Sequence, residues 1–179
     1  RDRRPSRGLG DVYKRQSVYL IDTNFIGTVA SVYPRDVFPS LWNQLEEPIF
    51  RGNSYFHKTV DREMKQWKDP ALDWYLKHID TQYIVSTDDN ELALYTDVVR
   101  WVAEERQPLY KDRAVNVFMD AADSWLIASA LRHDATIVTN EVRAAPDSRK
   151  HVKIPDVADH FGVRCIDLLA FLREMDISI

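Results

Sequence analysis

Four carboxylates stand where an alternating strand–helix chain would bring acids together. Asp22 directly follows the apolar run Val18-Tyr19-Leu20-Ile21, and Glu141 comes two residues after Ala135-Thr136-Ile137-Val138-Thr139. Asp123 heads the run Ser124-Trp125-Leu126-Ile127, and Glu63 borders a face formed by Val60, Met64 and Trp67. Gathered in one crevice, such acids repel and raise one another's pKa unless a cation neutralises them. Oxygen-only donors suit Mg²⁺ or Mn²⁺ better than zinc. The five histidines (His57, His78, His133, His151, His160) form no ligand-spaced pair, and Cys165 stands alone, so a zinc site is not expected. One or two bound ions would activate water and stabilise charge on a phosphodiester. Each acid also has a plainer reading: Asp22 and Asp123 as helix caps, Glu63 as a surface residue, Glu141 as a loop charge. Asp120, three residues before Asp123, reads as a cap or as a helper ligand on the same helix face.

The elements that must position these acids follow from the hydrophobic pattern. Short β-type runs are expected at 17–21, 53–56, 83–86, 135–139 and 163–166. Helical spacing is expected over 25–30 (capped by Thr23 or Asn24), 36–47, 58–67, 70–79, 88–106, 120–133, 156–160 and 168–174, with Pro108 ending the longest. Short apolar strands alternating with helices predict one α/β domain with a central, mainly parallel sheet flanked by helices in three layers. In such sheets ligands bind beyond the carboxyl ends of the strands, where Asp22 and Glu141 stand. Trp42, Trp67, Trp74, Trp101 and Trp125 fall among apolar residues and are expected to pack rather than stack on bases.

Composition bounds the class. The 179 residues are 45% hydrophobic and 11% aromatic, enough for a core. A single cysteine fits a reducing cytoplasm, and no apolar run is long enough to span a membrane. The formal charge of −4 hides an asymmetry. Residues 1–16, RDRRPSRGLGDVYKRQ, hold six of the 24 cations and two of the 28 anions. Asp11-Val12-Tyr13-Lys14-Arg15-Gln16 is what GAT GTG TAT AAG AGA CAG encodes, a string that resembles the transposon end used in sequencing libraries. Residues 1–16 are therefore expected to be a disordered translated adapter, and 17–179 the domain. That domain carries 18 cations against 26 anions, a net −8. Such a balance excludes a broad basic nucleic-acid face but leaves room for a local cationic rim.

Taken in order, VYLIDTN, a V-x-x-E helix, ADSWLIASAL and TIVTNE resemble the PIN-domain nucleases, including the VapC-type toxins of bacterial toxin–antitoxin pairs. From Val117 onward the chain, with the early FPSLWNQL, is most similar to a branch catalogued as a PIN-like domain of unknown function. The resemblance spans residues 17–176 and makes Asp22, Glu63, Asp123 and Glu141 the catalytic, metal-binding acids. Glu141 stands where the family usually has aspartate, and so reaches one methylene further. Asn24 and Thr139, with Asp120, would orient carboxylates and water. The resemblance also implies Mg²⁺- or Mn²⁺-dependent endonucleolytic hydrolysis of RNA, a cytoplasmic setting and a cognate antitoxin, with a homodimer left open.

A polyanion needs cations. Arg143, Arg149, Lys150, His151 and Lys153 follow Glu141 and would form an RNA-contacting rim, or equally a solvated loop. Arg62 and Lys65 flank Glu63 and would add to that rim. Two rival readings stand beside the nuclease. One is a non-catalytic PIN-like binding module acting through an antitoxin or scaffold. The other is a Mg²⁺-dependent phosphohydrolase of the haloacid-dehalogenase kind, which needs a second acid at the position of Asn24.

Overall fold

The structure is a computed structural model and describes residues 17–50 and 52–178. Residues 1–16, expected to derive from an adapter, lie outside the described residues. Five parallel strands form one sheet: β1 (Val18–Ile21), β2 (Ser54–His57), β3 (Ile84–Val85), β4 (Ala135–Val138) and β5 (Cys165–Ile166), in the order β3-β2-β1-β4-β5. β1 lies at the centre because its residues are apolar on both sides. Tyr19, Leu20 and Ile21 are all buried, as is every residue of β4. Such continuous burial is the mark of a parallel sheet covered on both faces.

The covering helices are α1 (Thr23–Val32), α2 (Pro39–Phe50), α3 (Lys58–Met64), α4 (Pro70–His78), α5 (Asp89–Arg100), α6 (Asp112–Asp120), α7 (Asp123–His133), α8 (Ile154–Phe161) and α9 (Leu168–Glu174). They pack in sets: α1 meets α3 and α4, while α7 meets α5, α6 and α8. The three-layer α/β architecture is as expected.

Several boundaries differ from the sequence pattern. The helix expected at 25–30 starts at Thr23, with Asp22 rather than Thr23 or Asn24 in the N-cap position. The helix expected at 36–47 runs three residues later. The long helix ends at Arg100 as α-helix and continues as a single wide π turn over Trp101–Glu105. The helix expected over 120–133 is broken at Ala121 and Ala122, and the preceding α6 was not anticipated. Trp42 and Trp74 are buried and meet edge to face at 4.6 Å. Trp67 rests on α1, where a Cβ on Gly27 would stand 3.0 Å from its ring. Trp101 stacks on His160 at 4.0 Å and Trp125 on Tyr95 at 4.0 Å.

Candidate active site

The chain runs from β1 outward through β2 and β3, then returns to place β4 on the other side of β1. The order therefore reverses between β1 and β4, which makes their carboxyl ends the crevice where α/β sheets bind ligands. Register delivers the first pair of site residues. Ile21 pairs with Val138, and the Asp22 N–H donates to the Val138 carbonyl at 3.0 Å. Asp22 and Thr139 consequently leave adjacent strands side by side, and the Thr139 hydroxyl donates to Asp22 Oδ2 at 2.7 Å. Asp22 is only 3% exposed. It makes no side-chain capping bond to α1, although the Asn24 N–H lies near enough to help hold its pKa down. Burial pushes its pKa up to about 6; the Thr139 hydroxyl opposes the rise, and the charges of Glu141 and Glu63 add to it.

Asp123 is the first residue of α7, where the helix dipole favours a carboxylate. Burial nevertheless raises its pKa to about 8, reinforced by the charges of Asp22, Glu141 and Glu63 and offset by Lys153. The four acids expected from the sequence thus sense one another across the crevice. Neither Asp22 nor Asp123 has an ion-pair partner among the described residues.

The two glutamates are held by the protein itself. Glu63 Oε2 accepts from the Thr23 hydroxyl at 2.7 Å, and Oε1 accepts from the Ala122 N–H at 2.9 Å. Glu141 Oε1 accepts from Lys153 Nζ at 2.6 Å, and Oε2 from the Ile154 N–H at 2.9 Å. Its own N–H donates to the Thr139 hydroxyl at 3.1 Å. Among the described residues, no three His, Cys, Asp or Glu side chains stand ready-made as a metal-ligand set. The donor chemistry still fits a hard cation: all the acids offer oxygen only, and Asp22 is buried without an ion-pair partner among the described residues.

The remaining expected residues divide. Asn24 is exposed, and its Oδ1 accepts from Thr28 rather than orienting an acid. Asp120 ends α6 and is exposed, so it does not share a helix face with Asp123. Arg143 is clamped by Asp159, and Arg149 Nε donates to the Leu109 carbonyl at 2.7 Å. Lys150, His151 and Lys153 line a cleft of about 630 Å³ that also contains Asp123 and Glu141. Lys65 pairs with Asp61 at 2.7 Å, and Arg62 is exposed beside it. Sequence reading missed Thr23, whose signal was its place directly after Asp22. It also missed Lys111, just before α6, and Arg113 in its first turn, both of which line the cleft.

A family model described as "Domain of unknown function (DUF4411)" matches residues 19–179. No curated protein matches the sequence. Among solved structures, one described as "Crystal structure of VapBC2 from Rickettsia felis bound to a DNA fragment from their promoter" is similar at 15% identity. That likeness covers 84% of this chain and 98% of the other, with a TM-score of 0.49. The family match agrees with the branch expected from the segment after Val117, and by it this chain belongs to the DUF4411 domain family.

Proposed function

We propose that the domain is a PIN-like, Mg²⁺- or Mn²⁺-dependent endoribonuclease, acting as the toxin of a toxin–antitoxin pair in the cytoplasm. One observation carries the reading: Asp22 is buried at the β1/β4 switch point, and its charge, with those of Glu141 and Glu63, adds to the raised pKa of Asp123 beside it. That is an unfavourable arrangement for folding alone, and functional sites are where such shifts concentrate. Asp22, Asp123, Glu63 and Glu141 would hold the cation, which would supply charge stabilisation and an activated water at a phosphodiester. The chain's own groups do the positioning. Thr139 fixes the Asp22 carboxylate, Thr23 and the Ala122 N–H aim Glu63, and Lys153 with the Ile154 N–H aims Glu141. A cognate antitoxin is the proposed protein partner.

RNA cleavage by residues 17–179 behind an initiating Met, with Mg²⁺, Mn²⁺ or EDTA, tests this reading. Cleavage is expected only with the ions and is expected to be lost in Asp22→Asn and Asp123→Asn. Equal cleavage by parent and variants would remove these residues from the site. A second reading, the non-catalytic binding module, is favoured by one observation: both glutamates already have all their oxygens engaged by protein donors. No cleavage of any RNA together with no Mn²⁺ binding in calorimetry would select it.

A further inference from the structure

The chain itself supplies a cation to the acids at the β1/β4 crevice. Of the lysines and arginines lining the cleft, Lys111, Arg113 and Lys150 are exposed, and none pairs with an acid among the described residues. Lys153 differs. It is half-buried, and its Nζ stands 2.6 Å from Glu141 Oε1. The next residue closes on the other oxygen, where the Ile154 N–H donates to Oε2 at 2.9 Å. Two consecutive residues at the start of α8 thus grip both oxygens of one carboxylate. Their backbone is fixed in turn: Ile154 and Pro155 are buried, and Asp156 Oδ2 accepts from the Ala144 N–H at 3.1 Å. The segment 141–144 and the first turn of α8 therefore brace each other. The ammonium is also felt beyond Glu141, because its charge opposes the raised pKa of Asp123.

A cation held in this way competes with any other cation for the same carboxylate. We propose that the Lys153 ammonium is the resident second cation of the site, filling at Glu141 the place of a second metal ion, so that the domain takes a single divalent ion. The proposal rests on the nuclease reading above and fixes its ion count. In two-ion sites the metals divide between them the charge on the attacking and leaving oxygens. An ammonium supplies charge and N–H donors but no coordination position. Glu141 then shares its charge between Lys153 and the one ion. A second dication on the same carboxylate would have to approach the ammonium, and in a partly buried crevice that repulsion is only weakly screened.

Calorimetric titration of the full chain with Mn²⁺ tests it, with the electron paramagnetic resonance spectrum of the bound ion recorded alongside. The parent is expected to bind one Mn²⁺ per chain and to give the resolved hyperfine pattern of an isolated ion. Lys153→Met removes the charge at similar length and is expected to bind two, with the spectrum broadened by coupling between neighbouring ions. Lys153→Gln keeps a donor to Glu141 without the charge and is expected to do the same. That result separates the charge of Lys153 from its part in bracing α8. Lys153→Arg keeps a cation and holds the count at one. Lys150→Ala, which removes an exposed cation from the same cleft, also leaves it at one. Circular dichroism confirms folding of each variant. Two ions in the parent, or a count still at one in both uncharged Lys153 variants, overturns the proposal. If the parent binds two ions and cleaves RNA, the ion count fails and the nuclease reading stands. If the parent binds one and the uncharged variants two, yet no RNA is cleaved, the place of the ammonium stands and the nuclease reading fails. A parent that binds no Mn²⁺ overturns both.

Discussion

Asp123 would ordinarily ionise near the usual carboxylate range, yet burial and three neighbouring acids raise it to about 8. The native state therefore keeps a proton that the unfolded chain has already released, and between about pH 4 and pH 8 it binds more protons than the unfolded state. By linkage, stability must fall as pH rises through that window. Asp22, raised to about 6, adds to the fall over its lower half. The midpoint of urea unfolding in EDTA is accordingly expected to decrease from pH 4 to pH 8. Asp123→Asn should flatten the decrease and stabilise the metal-free protein at pH 8 by on the order of 2 kcal/mol. Mn²⁺ should restore stability more at pH 8 than at pH 5 in the parent and little in the variant, read by the same midpoint. Thr139 acts through Asp22. Thr139→Val removes the hydroxyl that favours the ionised carboxylate, and cleavage should drop about 10–100-fold, as for other groups that orient metal ligands. Thr139→Ser should recover most of it, and the pH profile of the Val variant should shift upward. That shift distinguishes orientation of the carboxylate from simple loss of packing.

At the scale of elements, the break between α6 and α7 is the instructive case. Residues 120–133 contain neither proline nor glycine, and Ala121-Ala122 is among the best helix-forming pairs, so local propensity continues the helix. The chain instead restarts at Asp123 because the Ala122 N–H at the new terminus is satisfied by Glu63 from α3. A cap supplied from 59 positions away leaves no trace in the local pattern. The same break separates Asp120 from Asp123 and removes the helper role expected of it. The strands and most helices were legible because each has an apolar face of the right period. Their ends were not, since termini answer to partners. β2 and α5 show another such tie. His57 ends β2 with its Nδ1 accepting the Thr59 N–H, and its Nε2 stands 2.9 Å from Glu91 Oε1. Both side chains are 0% exposed. Glu91→Ala removes the carboxylate that faces the buried imidazole, and a loss of about 3–5 kcal/mol is expected in urea unfolding. Glu91→Gln, which keeps a hydrogen-bond acceptor, should cost less. Cys165 in β5 sits in a setting where burial pushes its thiol to about 12. At pH 8 it should therefore react with a disulfide reagent only as the protein unfolds, measured by the absorbance of the released thiolate.

For the whole molecule, charge distribution and metal linkage make one further expectation. A cation that binds the native acids and not the unfolded chain stabilises by RT ln(1 + [L]/Kd), about 2.7 kcal/mol at a hundredfold excess over Kd. Thermal unfolding should thus shift upward with Mn²⁺, and Asp22→Asn should abolish the shift. The acidic balance of the domain had left only a narrow place for a polyanion, and the structure narrows the rim further. Of the Arg and Lys residues expected there after Glu141, Lys150 and Lys153 reach the cleft, while Arg143 and Arg149 are spent on Asp159 and on the Leu109 carbonyl. By itself the sequence determined the alternation of strands and helices, hence a parallel three-layer sheet, and the residue types that stand at strand ends. Those follow from local periodicity, which every residue carries in its own neighbourhood. Only the tertiary structure decided which strand lies beside β1, and therefore that Thr139 meets Asp22. It alone decided that Thr23, Ala122, Lys153 and Ile154 hold the glutamates, and that Lys111 and Arg113 join the rim. Those contacts join segments tens of residues apart, and their geometry exists only once the sheet order and helix packing have brought the segments together.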